Sequence, residues 1–530
     1  MNTTIIGFIT HAARSFAVFL GFAFVLSARA APQDPIDQQL SRILEQIQSG
    51  DLRDARAGLI QALAQSPGDP RIFNLLGVVE AQENNFMAAQ SDFEKAIKAA
   101  PRFSAPYINL GRLYQERSNE PHALENARTT YTKLLAFEPA NVEANYQAAV
   151  VEHRLGLFTQ SLQHLSRLPA DAQGRSPALA LRCADLTGLG RVAEAQKTAK
   201  QLAATQDLAE TDVVSIVPAL IQHHSEEMAL DVLQSLASRG LASPHSLRRL
   251  AALAEARGQF QQARDALEKD LQSEAPSVPV LTQLARVAYR AHDLDGALGY
   301  LARARDLAPE NAAVHFFFGV ICIEQKLPPE AKKSLSEAVR LDPTNPYYNY
   351  ALGAVLVGQK NPDEAIAYFR KYVKSKPEDP RGRFALGVAY YEASQPDLAR
   401  QEFAAIAGRP ETRFGVELYL SRLAIDNEQL DEALKHLKNA LAANPVAPDG
   451  YAESGLVHIR RNEFAAAEKD LEHAVKLAPD HYLSNLRLLM LYQRTKDPRT
   501  AAQSERVDQL RKAGEQKEVL LMRSLEIRPY

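Results

Sequence analysis

Along ALGAVLVGQKNPDEAIAYFRKYV, residues 351–373, apolar positions recur at spacings of three and four, the spacing of helices with one buried face. A polar break, GQKN, divides the stretch in two. The second half opens on Asn361, a residue type that caps helix N-termini, followed by Pro362 at a first helical position and acids in the first turn. A proline at 377 closes it, because proline cannot continue a helix. The pattern predicts two helices, A and B, joined by a short turn. ALGVAYYEASQPDLARQEF then sets Gly387, Ala399 and Phe403 34 residues after Gly353, Ala365 and Phe369.

Stepping by 34 from Ala365 gives Ala399, Ala433, Ala467 and Ala501 in one direction. In the other it gives Ala331, Ala297, Ala263, Ala229, Ala195, Ser161 and Ala127; one step of 38 then reaches Ala89 and one of 34 reaches Ala55. These fourteen marker positions, thirteen of them alanine, define the register. Four residues after a marker stand Leu, Phe or Tyr, as at Phe93, Tyr131, Leu335 and Phe369. Twelve before it stand Gly77, Gly111, Gly319, Gly353, Gly387 and Gly455. Twelve after it stand Pro67, Pro101, Pro139, Pro309, Pro343, Pro377, Pro445 and Pro479. The small residues let A and B approach while the larger one fills the space beside them. One helix pair cannot bury its own apolar face, and stacking on the next pair does so.

The period, the Leu-Gly pair, the marker alanine, the residue four later and the closing proline together resemble the tetratricopeptide repeat family. The resemblance covers residues 37–510 and implies an all-α, right-handed solenoid of about fourteen antiparallel helix pairs. Departures are local. The family's early Trp slot holds Phe73, Tyr107, Asn349 or Arg383, and the chain has no Trp. Four extra residues fall in the third unit, near ERSNEPHALEN. Regular units are expected over 37–141 and 246–510. Units over 142–245 keep the spacing but lose most Gly and Pro markers, so the least regular packing is expected there. The tail 511–530 is expected to supply a capping helix.

The N-terminus carries a different signal. Arg14, the apolar run SFAVFLGFAFVL and the Ala28-Arg29-Ala30 motif predict a secretory leader over 1–30, cut after Ala30 or Ala31, and hence a periplasmic or secreted protein. The alternative is an uncleaved anchor over Ile5 to Leu26, against which His11 and Arg14 weigh. Cys183 and Cys322, the chain's two cysteines, lie about four repeats apart. They are expected to stay unpaired as small buried residues.

Catalytic and cofactor chemistry finds no foothold in the sequence. Sixty-one basic and 64 acidic residues give a formal charge of −3, with no clustered basic stretch that would suit nucleic acid. His223 and His224 are adjacent and lack the i, i+4 spacing of a helical metal pair. Gly188 and Gly190 follow no strand and read as an A–B turn rather than a phosphate loop. Pairs such as Glu226-Glu227 read as solvated helix faces. No catalytic, metal or cofactor site is expected.

Function is therefore expected on the inner, A-helix side, where the resembling family holds peptide segments of partner proteins. Inward positions fall six and three residues before the Gly slot and one and four after it. They select Arg286 and Tyr289; Ala313, Phe316, Val320 and Ile323; Tyr347, Tyr350, Ala354 and Val357; and Arg381, Phe384, Val388 and Tyr391. Exposed aromatic and apolar surface of this kind suits binding hot spots, whereas the same rings could equally pack between neighbouring helices. The family's carboxylate-clamp slots hold Phe316, Val320, Tyr350 and Phe384, so that clamp is not expected. Asn74 and Asn109 are read as isolated, capping or bridging backbone locally. The expectation is a non-catalytic envelope scaffold binding protein partners, with organising an export or assembly machine as its narrower form. A regulatory arm of an envelope enzyme and a carbohydrate-binding solenoid are the alternatives.

Overall fold

The computed structural model describes residues 35–273 and 275–512; the leader and the tail beyond 512 lie outside the described residues. Every regular element among them is a helix, and 29 are present. Fourteen are A helices and fourteen B helices; the last is a single extra turn, Ala170–Gln173. No helix of the described residues is long and apolar enough to cross a membrane. The chain divides into two compact units, residues up to Arg257 and residues from Gly258. In each, successive helices pack on their neighbours along the chain, with small separate apolar clusters rather than one large core.

The glycine column marks the closest approach of A to B. A Cβ built on Gly387 would lie 2.5 Å from the Phe403 ring, and on Gly353 2.8 Å from Phe369. The same holds for Gly77 on Phe93 and Gly111 on Tyr131. Each ring is the residue four after the marker. Thirteen of the fourteen markers are themselves buried, Ser161 included; the last, Ala501, is exposed.

The turn between A and B carries a column that the sequence reading did not isolate. Gly50, Asn84, His122, Gly156, Gly190, His224, Gly258, His292, Lys326, Lys360, Ser394, Glu428, Asn462 and Lys496 all have φ between 55° and 82°. Each stands five residues before a marker. The left-handed residue lets the next N–H turn back on helix A: Leu327 N–H donates to Cys322 O at 2.8 Å, Asn361 to Leu356 O at 2.8 Å and Glu463 to His458 O at 2.9 Å. These bonds satisfy the helix's orphan carbonyls in the Schellman manner. Gly188 and Gly190 lie in such a turn, as expected.

The early Trp slot also has a job. In six of the eight units closed by proline, the residue six after that proline donates a hydrogen bond to its carbonyl. The donors are Tyr107, Asn145, His315, Asn349, Tyr451 and Asn485, at 2.8–3.1 Å. They seal the end of each B helix against the next A helix.

Within 142–245 the departures in helix length are confined to one B helix and the turn after it. Helix Phe158–Ser166 is nine residues long and the Ala170–Gln173 turn follows it. The four extra residues widen one A–B turn to 117–122, between helices Ser104–Glu116 and Ala123–Phe137. One departure falls inside the array read as regular: helix Pro396–Ala404 is also nine residues, and turns fill 405–412 before helix Arg413–Asp426. Cys183 and Cys322 are buried and unpaired.

Candidate binding face

The A helices Val278–Arg290, Ala312–Glu324, Pro346–Gly358 and Pro380–Glu392 carry all fourteen inward positions, ten of which are the candidate groove residues Arg286, Tyr289, Phe316, Val320, Ile323, Tyr347, Tyr350, Arg381, Phe384 and Tyr391. The structure sorts them. Phe316, Val320, Tyr350 and Phe384 are core: Tyr350 is 3% exposed, packed edge-on against Phe369 and Tyr372, and Phe384 sits between Phe403 and Tyr419. Their slot faces the neighbouring repeat, whose helices close over it. Burial takes these four out of any contact with a partner.

Two tyrosines bridge successive A helices. Tyr289 Oη donates to Glu324 and Tyr391 Oη to Asp426 at 2.9 Å. Burial, with the facing carboxylate, holds both phenols above the usual tyrosine range. Arg381 folds back on Asp379, the N-cap of its own helix, with Nε at 3.0 Å and Nη2 at 2.7 Å. Arg71 does the same with Asp69 in the same Asp-Pro-Arg sequence. The inward cation of the sequence reading is thus half of a capping pair.

Tyr347 keeps the largest exposure of the ten, at 38%. Its ring lies 6.4 Å from that of Tyr372, with Lys376 Nζ 5.7 Å from the Tyr347 centroid. Arg286, Ile323 and Val357 are half-buried on the same face. What remains accessible is an aromatic ring beside a cation, flanked by aliphatic surface and held on rigid helices.

Elsewhere the A-helix face is polar, and its side chains pair from helix to helix. Asn74 and Asn109 are not isolated: Asn109 Nδ2 donates to Asn74 Oδ1 at 2.9 Å across adjacent A helices. Arg112 reaches Glu143 at 2.5 Å, and Gln115 reaches Gln147 at 3.0 Å. In the second unit Glu453, on helix Pro448–Arg460, accepts from Arg422 Nε at 2.8 Å and from Arg487 Nη2 at 2.5 Å. Glu453 and Arg487 are buried, and the Arg422 guanidinium lies 4.9 Å over the Tyr419 ring. The three charges come from three successive A helices. Their separations in sequence, 31 and 34 residues, match no local motif, although the repeat period brings such pairs together.

Models of the tetratricopeptide repeat match residues 40–102, 350–412 and 420–504, and a second model of the repeat matches 288–355. Together they span just over half of the chain. The chain belongs to the tetratricopeptide repeat family. Among curated proteins it is 27% identical over 113 residues to the interferon-induced protein with tetratricopeptide repeats 2 of Cricetulus griseus, covering 21% of this chain and 24% of that one. It is 28% identical over 104 residues to the chloroplastic tetratricopeptide repeat domain-containing protein PYG7 of Arabidopsis thaliana, covering 19% and 33%. The matched segments thus span a quarter to a third of those relatives. Among solved structures, a tetratricopeptide repeat protein from Parabacteroides merdae aligns at 14% identity with a TM-score of 0.41, over 47% of this chain and 98% of that one. As a tetratricopeptide solenoid, the chain is built as a scaffold for protein–protein contacts. The family's clamp slots, held here by Phe316, Val320, Tyr350 and Phe384, lie in the core of this array.

Proposed function

We propose that the chain is an exported, non-catalytic scaffold that holds extended segments of partner proteins against the A-helix face of residues 278–392. The supporting observation is Tyr347, an exposed ring held beside Tyr372 with Lys376 next to it, on a face whose core aromatics are buried. A rigid ring that is already in place loses little entropy on binding. The apolar run and Ala28-Arg29-Ala30 motif of residues 1–30 support the reading of an exported protein in the envelope, where organising an export or assembly machine is the narrower role.

The test is photo-cross-linking in intact cells from a photoreactive residue at Tyr347. The control is Leu398, equally exposed at 37% but on a B helix. A specific protein adduct from 347 and none from 398 is expected. Equal labelling from both positions, or adducts from 398 alone, would reject the A-helix face as the docking surface. N-terminal sequencing of the mature protein checks the export step, with Ala31 or Pro32 expected first.

A further inference from the structure

The irregular part of the first unit buries a cluster of titratable groups that neither the fold nor the proposed docking face uses. Glu152, on helix Val142–Arg154, is 3% exposed, and Asp185, on helix Ser176–Gly188, is 0% exposed. Glu152 Oε1 faces His164 Nε2 at 3.6 Å and Arg128 Nε at 3.7 Å. Its other oxygen is buried without a hydrogen-bond partner. Asp185 accepts from His153 Nδ1 at 2.7 Å, with the Ser161 hydroxyl beside it.

The state of His164 is set by its neighbours. Asn145 spends its amide N–H groups on the carbonyls of Pro139 and Asn141, at 2.9 and 2.8 Å. Its Oδ1 is therefore an acceptor, and it lies 2.9 Å from His164 Nδ1. The proton of a neutral His164 must sit on Nδ1, which leaves the Nε2 lone pair pointing at Glu152. A carboxylate facing a lone pair in a dry site is unfavourable; one proton between them removes the conflict.

We propose that Glu152 and His164 share one buried proton, as a compensating pair that keeps the packing of residues 142–188 insensitive to pH across the acid-to-neutral range. Burial pushes the Glu152 carboxyl up to about 7 and pushes His164 below the usual imidazole range. Taken alone, a raised carboxyl stabilises the fold at low pH, and that stability fades as pH rises toward 7. Taken alone, a depressed histidine does the reverse, giving stability that is lost as pH falls below about 6.5. The two slopes oppose. Other charged groups facing the pair are Arg128 from helix Ala123–Phe137, Arg167 just after helix Phe158–Ser166, and Asp185 with its partner His153. Helices Ser104–Glu116 and Val192–Ala204 direct their charges elsewhere, Arg112 to Glu143 and Glu194 to Arg191.

The measurement is hydrogen-exchange protection of 142–188 from pH 5 to 7.5 in the full chain, corrected for intrinsic exchange, with helix Pro346–Gly358 as reference. Wild type should track the reference. Glu152→Gln should leave the histidine slope alone, so that protection rises with pH. His164→Gln should leave the carboxyl slope, so that protection falls by more than tenfold over the same range. Wild-type slopes in both variants, or a wild-type slope as steep as either, overturns the proposal. If a variant fails to fold, the side-chain nitrogen shifts of His164 in wild type decide. A His164 that carries its proton on Nδ1 is expected at pH 6, and a neutral ring protonated on Nε2 instead overturns the shared proton.

Discussion

At the scale of single residues, the most demanding position is the left-handed turn residue five before each marker. Ten of the fourteen are not glycine, and several are long charged side chains. A non-glycine residue in this conformation costs about 1–2 kcal/mol. The repeat accepts that cost because the Schellman bonds and the A–B contact fix the turn. Glu428, at φ 60°, is a clean case: Glu428→Gly should raise stability by about 1 kcal/mol, read as a higher urea midpoint. Gly190→Ala, at φ 70°, should lower it by a similar amount. This column was hidden in the sequence because no single residue type fills it. Gly, Asn, His, Lys, Ser and Glu share a backbone state and no side-chain property. The glycine and alanine columns were legible for the opposite reason. A shortage of space beside Phe, Tyr or Leu selects a small residue in most repeats.

At the scale of helices, two kinds of glue hold one A helix to the next. Apolar packing was visible as periodicity. The polar links were not, since each joins residues about one repeat apart and looks like ordinary surface charge in one dimension. That blindness left Asn74 and Asn109 unconnected, whereas Arg381 finds its partner two residues away, in the cap of its own helix. The most exposed consequence is Glu453. Removing its charge leaves buried Arg487 and half-buried Arg422 without the carboxylate that both bond, with only the more distant Asp449 to offset them, where the loss of a buried partner costs about 3–5 kcal/mol. Glu453→Gln should therefore destabilise the second unit far more than Glu226→Gln, on a half-buried helix start, destabilises the first. Thermal melts of the two variants side by side would show it, and equal melts would mean that the triad is a surface decoration. The same reasoning explains the binding face. The periodicity placed its residues on the correct helices. It could not show that slots three before and one after the glycine are sealed by the next repeat, because that depends on the neighbour's side chains.

At the scale of the molecule, contacts run from each helix to its neighbours, and the apolar clusters are local. Stability in such an array is a sum over repeats and their interfaces rather than the property of one core. A fragment of residues 278–512 begins at an A helix and carries seven complete pairs. It should keep its helical circular dichroism and melt cooperatively; a fragment that collapses to coil would show that distant repeats are needed. Fold class and repeat register could be read from the chain because they recur fourteen times. The docking face has no such redundancy. It rests on what each repeat leaves uncovered, and for Tyr347 that became visible only once its neighbours were in place.

The widened turn at 117–122 has a practical meaning. Four additional residues were taken in there, and the next helix still begins in phase, with His122 in the left-handed state and Ala127 back at the marker. The A–B connection therefore behaves as a graft point. A fluorescent reporter or an epitope tag spliced between Ser118 and Glu120 should ride on the array without shifting the phase of any repeat that follows.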